Sequence, residues 1–310
     1  MGSPGRPPAG QALSYPARVD RDVALLCNPS AGGGRAARIL PRAEAALRSH
    51  GVAFRTSTTR DLEHARALAA DAAAAGEAVV ALGGDGLVGC VAGALRAVPD
   101  ALLGVLPGGR GNDLARALGI PLEPGPACAV IAGGAVRVLD VGDVDGRTFV
   151  GIASLGFDSD ANRIASEAPA RLGRLVYLYG ALRALAGWRP ARFDVRLDGE
   201  ALQFEGFSVA AANAPGYGGG MLLAPGARLD DGLLDVVLTG RTSKRRALRA
   251  MPKVFSGSHV DDASVRVLAA RELHVDADRP FVVYADGEPI GETPATIRVE
   301  PGALHVLAPA

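Results

Sequence analysis

The chain has 310 residues, of which 48% are hydrophobic and 21% are charged, so it holds enough apolar material for two domains of ordinary size. Its 33 lysines and arginines balance its 33 aspartates and glutamates, so no global field favours nucleic acid or an anionic membrane, and any electrostatic partner must be met by local charges. We expect no nucleic-acid partner. Its three cysteines include no CxxC pair and no apolar run reaches about 18 residues, which argues against a disulfide framework, a structural zinc site and a membrane-spanning helix.

The first residues of the sequence predict no folded element. Residues 1–19 are rich in glycine, proline and arginine, and residues 1–11 lack the apolar segment of an export signal. We therefore expect a disordered leader on a protein that stays in the reducing cytoplasm.

Strands and helices alternate through the first half of the sequence. Short apolar runs predict strands, and longer segments with helical apolar spacing predict helices. The predicted strands are residues 23–27, 52–56, 78–82 and 102–106, and the predicted helices are residues 36–49, 61–75 and 88–97. This order predicts right-handed βαβ crossovers and a mainly parallel sheet that is covered on both faces.

Three of these predicted strands run into glycine-rich loops. The loops are Asn28-Pro29-Ser30-Ala31-Gly32, Gly83-Gly84-Asp85-Gly86 and the segment from Pro107 to Arg116. Ligands of such sheets bind at the carboxyl ends of the strands, where all three loops fall. Glycine lets backbone N–H groups approach phosphate oxygens closely, so the loops predict a site for nucleotide phosphates.

Each loop, taken alone, also fits a simpler interpretation. Asp85 fits a helix N-cap, and Asn112-Asp113 fit the capped start of another helix. The first loop lacks the lysine of the Walker A motif. The nucleotide site is favoured by the occurrence of all three loops in one α/β half.

From about Arg137 the pattern changes to short alternating runs, which predict a mostly β half. Asp-Gly pairs typical of tight turns separate these runs, at residues 145–146, 198–199, 231–232 and 286–287. A single helical interruption is predicted at residues 172–186, where leucines recur at helical spacing. This leucine stripe favours packing against the core, and the arginines beside it leave an interfacial membrane contact as the alternative. A final run at residues 296–307 is predicted to be a strand that returns to the first domain.

The motifs of both halves, taken in order, resemble one enzyme family. They are NPxxG from Asn28, GGDG from Gly83, PxGxxNDxAR from Pro107, Gly220-Met221, Pro225-Gly226-Ala227, Asp230–Asp235 and Asp286-Gly287-Glu288. This order resembles the diacylglycerol kinase catalytic domain family, which is related to the sphingosine and ceramide kinases. The resemblance covers the chain from about Val23 to the C-terminus.

The resemblance implies a fold and its domain boundaries. It implies an N-terminal Rossmann-like nucleotide domain with a parallel sheet, followed by a mainly antiparallel β-sandwich domain. The ATP-binding domain is expected at residues 20–138 with the returning segment 297–310, and the C-terminal domain at residues 139–296. The active site is expected in the cleft between them.

The resemblance also implies the cofactors ATP and Mg²⁺ and the residues that contact ATP. These residues lie in the three loops and at one position beyond the second strand: Asn28, Pro29, Ser30, Ala31, Gly32, Thr59, Gly83, Gly84, Asp85, Gly86, Leu87, Gly109, Arg110, Asn112 and Asp113. A guanidinium at Arg110 is physically suited to pair with phosphate.

Acidic residues carry the implied chemistry. Glu288 matches the proton acceptor of the family, and Asp286 matches an acidic residue linked to metal and phosphate. Asp85 is the competing base, since the sphingosine kinase branch is thought to use the GGDG aspartate. Without the other motifs, Asp286-Gly287-Glu288 fits a simple hairpin turn.

A structural magnesium site is implied as well. Its ligands would be Asp231 and the backbone carbonyl groups of Arg228 and Leu233, since hard cations take carboxylate and carbonyl oxygens. Asp140 matches a further acidic residue of the metal and phosphate network. The Asp-Asp-Gly sequence equally fits a solvated turn.

The sequence departs from several bacterial members of the family at five positions. Leu87 replaces a threonine, Gly89-Cys90 replace Asn-Glu, Ala31 replaces a serine and Arg110 replaces a threonine. Leucine after GGDG is similar to the sphingosine kinase version, so Leu87 is compatible with activity.

We therefore expect an ATP-dependent lipid kinase that phosphorylates a hydroxyl of diacylglycerol, a sphingoid base, ceramide or a related lipid alcohol. Two alternatives stay open: an NAD kinase-like nucleotide kinase, which shares GGDG, and a nucleotide-binding regulator without catalysis. The lipid substrate implies transient, peripheral contact with the membrane surface. A homodimer is compatible with the sequence.

Overall fold

The computed structural model describes residues 21–168 and 175–310, so the predicted leader at residues 1–19 lies outside the described residues. The chain divides into two compact units. The N-terminal unit contains the described residues up to Val141 together with Pro301–Ala310, and the C-terminal unit is Gly142–Glu300. In the described residues, no helix combines the length and the apolar character needed to cross a bilayer.

The N-terminal unit is an α/β domain on a parallel sheet. Its elements are β1 (Val23–Cys27), α1 (Ala31–Ser49), β2 (Phe54–Thr58), α2 (Leu62–Ala74), β3 (Ala78–Gly83), α3 (Asp85–Leu95), β4 (Leu102–Pro107), α4 (Asp113–Ala117), α5 (Pro124–Gly133), the start of β5 (Ala135–Val144) and the end of β15 (Ala295–Ala308). The strand order is β2-β1-β3-β4-β15, and neighbouring strands are parallel. The parallel sheet predicted from the alternation of elements is confirmed.

The sequence of this unit explains why the sheet is buried. All residues of β1 and β3 are buried, as expected for parallel strands that are covered on both faces. Helix α2 packs through small residues, since Ala65, Ala69 and Ala72 recur at helical spacing and are fully buried. The Asp61 side chain caps this helix by accepting the His64 N–H at 2.7 Å.

The C-terminal unit is built on antiparallel strands. Its elements are the end of β5 (Ala135–Val144), β6 (Arg147–Phe149), β7 (Ile152–Gly156), α6 (Phe157–Ser166), α7 (Leu175–Gly187), β8 (Ala191–Leu197), β9 (Glu200–Ala212), β10 (Leu234–Gly240), α8 (Lys244–Val254), a 3-10 helix (Ser258–Asp261), β11 (Val265–Ala270), β12 (Glu272–Ala277), β13 (Val282–Ala285), β14 (Glu288–Glu292) and the start of β15. One path of strands runs β14-β13-β7-β9-β8-β12-β15, and β10 lies between β9 and β11. Its core includes Phe193, Phe207 and Trp188, and the β-sandwich domain is confirmed.

Asp-Gly pairs form three hairpin turns of this unit. They join β5 to β6 at residues 145–146, β8 to β9 at residues 198–199 and β13 to β14 at residues 286–287, with positive φ at both residues of each pair. This backbone matches the twist of the paired strands. The fourth pair, at residues 231–232, instead lies in the long connection between β9 and β10.

The expectation of a single helix in the second half is wrong, because this unit contains three α-helices in the described residues. The predicted helix at residues 172–186 corresponds to α7, and the first residues of that prediction lie outside the described residues. Helix α6 has a polar sequence and is stabilised by packing: a side chain at Gly180 of α7 would overlap the Ala161 carbonyl of α6. Local composition does not report such tertiary packing.

Candidate active site

Three strands of the parallel sheet end side by side, and this places the three glycine loops together. In the strand register Cys27 lies beside Leu82, and Leu82 lies beside Leu106. Each of these residues is followed within two positions by its loop, and Gly108 N–H donates to the Gly83 carbonyl at 2.7 Å. The predicted convergence of the loops at the carboxyl edge of the sheet is therefore confirmed.

The loops contact one another through their backbones. A side chain at Gly109 would overlap the Cα atom of Gly84, and a Cβ at Gly32 would lie 2.5 Å from the Gly108 oxygen. Gly32 also has a φ of 61°, which glycine adopts without strain. Glycine at these positions therefore lets three loops meet at distances that no side chain allows.

The first loop is held by its own polar groups. The Asn28 Oδ1 atom accepts the Ser30 N–H at 3.1 Å and the Ser30 hydroxyl at 2.8 Å. Thr59, which follows β2, is buried and donates its backbone N–H to the Cys27 carbonyl at 2.8 Å. Its hydroxyl lies 3.4 Å from the same carbonyl, so it lies beside the start of the first loop.

Asp85 links the second loop to the third. Its Oδ2 accepts the Asn112 N–H at 2.9 Å, and its Oδ1 accepts the Asp113 N–H at 2.6 Å. Burial raises the pKa of Asp85, and the backbone donors of Asp113 and Asn112 oppose that rise. The predicted N-cap role thus takes another form, since Asp85 caps α4, which begins at Asp113, from a different loop.

Asn112 closes the third loop. It adopts a left-handed φ of 54°, and its Oδ1 accepts the Gly109 N–H at 2.8 Å. Its Nδ2 donates to the Gly109 carbonyl at 3.1 Å. The Asn112 side chain therefore fixes the backbone of this loop through Gly109. Arg110, which lies between Gly109 and Asn112 in the sequence, is half-buried.

Two of the departures from the family pattern are packing residues here. Leu87 is buried, and its side chain fills the space over Gly83. Cys90 is buried on α3 and its Sγ donates to the Leu62 carbonyl at 3.0 Å. Both side chains contact the protein interior. Their identity therefore affects the packing beneath the second loop and leaves the backbone N–H groups of that loop in place.

Asp286 fastens the β13–β14 turn to a neighbouring loop. Its Oδ2 accepts the Val150 N–H at 2.8 Å and its Oδ1 accepts the Gly151 N–H at 2.9 Å. Both oxygens thus accept hydrogen bonds from the connection between β6 and β7. The β13–β14 turn that Asp286 fastens in this way is followed by Glu288, the first residue of β14.

Glu288 is solvent-exposed at the start of β14. The protein around it nevertheless withdraws enough water to raise the carboxyl pKa above its ordinary value. A raised pKa increases the basicity of a carboxylate, which suits a proton acceptor.

The residues predicted to bind metal supply few side-chain ligands. Asp231 is buried and accepts the Leu233 N–H at 3.2 Å, while Arg228 pairs with Asp230 at 3.4 Å. No group of three or more His, Cys, Asp or Glu side chains that could hold a metal ion occurs among the described residues. One carboxylate with backbone carbonyls remains a donor set that suits a hard cation.

Asp140 belongs to the N-terminal unit. Its Oδ1 accepts the Gly302 N–H at 2.8 Å, which fastens β5 to β15. Asp140, which was predicted to belong to the metal and phosphate network, therefore has a structural role in joining these two strands.

The C-terminal unit contains an apolar cavity of about 150 Å³ that the sequence did not predict. Its walls come from α6, α7, α8 and the strands β9 and β10, and they include Phe157, Leu178, Phe207, Met251 and Val254. The signal for it was present in α8, where apolar residues recur at helical spacing, but that helix was not predicted.

A few polar groups line this cavity. Asp158 faces it beside Ser208, whose side chain hydrogen-bonds to the carboxyl, and burial raises the pKa of Asp158 to about 6. His259 also lines it and contacts the Leu223 carbonyl through Nε2 at 3.1 Å, and burial lowers the pKa of this imidazole. An apolar space with a small number of polar groups is typical of sites for apolar ligands.

Comparisons with known proteins agree with this arrangement. Residues 22–144 match the diacylglycerol kinase catalytic domain, and residues 151–308 match the YegS C-terminal NAD kinase beta sandwich-like domain. A diacylglycerol kinase of Mycobacterium tuberculosis is 36% identical over 296 residues, which cover 93% of this chain and 95% of the relative. A Pseudomonas aeruginosa protein named "Probable lipid kinase YegS-like" is 36% identical over 298 residues, which cover 94% of this chain and 96% of the relative.

The fold is also found in a solved structure. The present fold matches a crystal structure of a diacylglycerol kinase from Bacillus anthracis with a TM-score of 0.78 and 23% sequence identity. The match covers 93% of this chain and 97% of the Bacillus anthracis chain. Both halves of the chain match a family, and relatives above 30% identity span more than nine-tenths of it. The chain therefore belongs to the diacylglycerol kinase family of lipid kinases.

Proposed function

We propose that this protein transfers the γ-phosphate of ATP to a hydroxyl of a membrane lipid alcohol, with diacylglycerol as the first candidate acceptor. The observation that carries the lipid assignment is the apolar cavity of the C-terminal unit, because a nucleotide acceptor has no acyl chain to fill it. The names of the relatives support the same substrate class.

The N-terminal unit would hold ATP. The three loops meet at the carboxyl edge of the sheet, where their backbone N–H groups suit phosphate oxygens. Asp85 keeps the second and third loops together, and Arg110 supplies a cation for phosphate. Mg²⁺, which would accompany ATP, neutralises charge on the phosphates.

Glu288 would accept the proton of the lipid hydroxyl. Its raised pKa and its exposed position at the start of β14 support this role. Asp286 would act through the turn it fastens, since both of its oxygens bind backbone N–H groups. Asp231, with the carbonyls of Arg228 and Leu233, would hold a structural Mg²⁺ ion.

The decisive test is transfer of radiolabelled γ-phosphate from ATP and Mg²⁺ to a panel of detergent-solubilised lipids and NAD. A labelled lipid that is lost in Glu288→Gln would support the proposal and identify the substrate class. Labelled NAD would favour a nucleotide kinase, and ATP binding without any product would favour a regulator.

Filling the cavity is expected to raise the KM for the lipid without changing the KM for ATP. Ala250 lies on the cavity side of α8, and Ala250→Phe adds a ring where acyl chain would lie. We expect the lipid KM to rise about five- to 150-fold, since overpacking costs about 1–3 kcal/mol. The control is Ala201→Phe at an exposed position of β9 outside the cavity lining, which should leave both KM values unchanged. Equal KM values in the two variants would contradict the cavity assignment.

Gly84→Val is expected to weaken ATP binding. A Cβ at Gly84 would lie 3.3 Å from the Gly109 Cα, so a branched side chain forces the second and third loops apart. A cost of about 1–3 kcal/mol corresponds to a Kd that is about five- to 150-fold weaker. The control is Gly125→Val on α5, where nothing lies within 4 Å, and an unchanged Kd in Gly84→Val would overturn the loop assignment.

A further inference from the structure

Exposed large apolar side chains are concentrated on two neighbouring helices of the C-terminal unit. Of the seven such residues in the described part of the chain, five lie on α7 or at α8: Leu178, Tyr179, Leu182, Leu248 and Phe255. The two helices contact each other, and Lys244 Nζ of α8 donates to the Ala186 carbonyl of α7 at 2.7 Å. Together they form one surface, which we call the α7–α8 surface.

Helix α8 has two different faces. Its inner face carries Ala247, Ala250, Met251 and Val254, which line the apolar cavity. Its outer face carries Arg245, Leu248, Arg249 and Pro252 at the same helical spacing, and all four residues are exposed. Ala247 and Met251 of the inner face pack against the core of the unit, so the outer face presents Leu248 to the solvent among cations.

The charge of α8 has one sign. The helix contains five lysines and arginines and no acidic residue. Arg246 pairs with Asp262 at 2.9 Å, and Lys244 is engaged with α7. In the described residues no carboxylate pairs with Arg245, Arg249 or Lys253, so these three cations remain available to an anionic partner.

The cavity opens on the same surface. Leu178 and Phe255 both line the cavity, and they are 45% and 56% exposed. Side chains that line a cavity and are also exposed to solvent lie at the mouth of that cavity. The mouth is therefore flanked by apolar side chains and by the free cations of α8.

We propose that the α7–α8 surface docks onto an anionic lipid bilayer, with Leu248 and Phe255 entering the interfacial layer and Arg245, Arg249 and Lys253 binding lipid phosphates. The combination of apolar side chains with cations of one sign fits a bilayer that carries anionic headgroups. A second copy of the chain fits less well, because a symmetric contact would bring two sets of cations together.

Docking in this way would place the cavity mouth at the acyl region of the bilayer. A lipid acceptor would then enter the cavity without crossing water. This second step rests on the proposed lipid kinase function, whereas bilayer binding itself does not.

The test is sedimentation of the full chain with phosphatidylcholine vesicles and with vesicles containing about 30% phosphatidylglycerol. Each basic residue near an anionic surface contributes about 1 kcal/mol, so Arg245→Glu/Arg249→Glu should bind anionic vesicles about thirtyfold or more weakly. The matched control is Arg192→Glu/Arg196→Glu on β8, which changes the net charge equally at exposed residues and should bind like the unmodified chain.

The unmodified chain should bind anionic vesicles more tightly than neutral ones and should be released as the salt concentration rises. Equal binding to both vesicle types, or retained binding in Arg245→Glu/Arg249→Glu, would overturn the proposal. A dimer in analytical ultracentrifugation that the α8 variant abolishes would assign the surface to a second copy instead. Because the salt and lipid comparisons use the unmodified chain, they test binding to anionic bilayers even where a variant folds poorly, and the comparison of the α8 and β8 variants then assigns the surface.

A soluble short-chain diacylglycerol separates this inference from the proposed function. The α8 variant should phosphorylate dioctanoylglycerol at the rate of the unmodified chain, and should lose activity on long-chain substrate presented in anionic vesicles. Vesicle binding without any phosphorylation by the unmodified chain would reject the kinase proposal and leave the docking surface supported.

Discussion

Glu288→Gln is expected to lower turnover by about 10²–10⁴-fold while the Kd for ATP stays unchanged. Glutamine keeps the size of the side chain at the start of β14 but cannot accept a proton from a lipid hydroxyl. The measurement is kcat for lipid phosphorylation at saturating ATP, together with ATP binding by calorimetry. Turnover within a few fold of the unmodified enzyme would exclude Glu288 as the base.

The hairpin offers a matched control at its other end. Glu292 is exposed at the last position of β14, so Glu292→Gln removes a charge from the same strand without touching Glu288. Its kcat should be that of the unmodified enzyme. A loss of turnover in both variants would point to the stability of the hairpin instead of to proton transfer.

The pH dependence supplies an independent readout for the same residue. The environment of Glu288 raises its pKa, and a base must be ionised to act, so the acid limb of the kcat/KM profile should lie above the ordinary glutamate range. The enzyme therefore gains activity as the pH rises through that limb. In Glu288→Gln this limb should disappear from the residual activity.

The elements that position the nucleotide site were predictable because short-range patterns determine them. The fully apolar run Val23–Cys27 is a strand as predicted, and Ala78–Gly83 extends the predicted strand by one residue. A parallel strand that is buried on both faces is apolar at every residue, and a run of glycines after it indicates a loop. The glycine loops could therefore be predicted from the local sequence, without information on tertiary contacts.

The features that the sequence did not predict depend on long-range contacts. Helix α8 was not predicted although its apolar residues recur at helical spacing, because five cations and Pro252 lie among them. The packing of Ala247 and Met251 against the core stabilises the helix. The cavity lies between several elements that are separated in sequence, so no local pattern describes it. The turn at Asp286 was predicted as a hairpin, whereas its bonds to Val150 and Gly151 span more than 130 residues.

Asp85→Ala is expected to lower the free energy of unfolding of the N-terminal unit by about 2–4 kcal/mol. The substitution removes a helix cap and leaves the buried N–H groups of Asn112 and Asp113 without the carboxylate that accepts them. The third loop should then move away from the second, and ATP binding should weaken by about tenfold or more. Thermal unfolding and ATP calorimetry measure both effects.

Asp85→Asn separates positioning from proton transfer at the same residue. Asparagine keeps one acceptor oxygen and directs an amide N–H group toward a backbone donor, so a positioning residue should lose ATP affinity and thermal stability together. A base would instead lose turnover while both of those quantities stay unchanged. The control is Asp71→Asn on the exposed side of α2, which should change none of the three. Since both oxygens of Asp85 accept backbone N–H groups, we expect the first result, with Glu288 left as the proton acceptor.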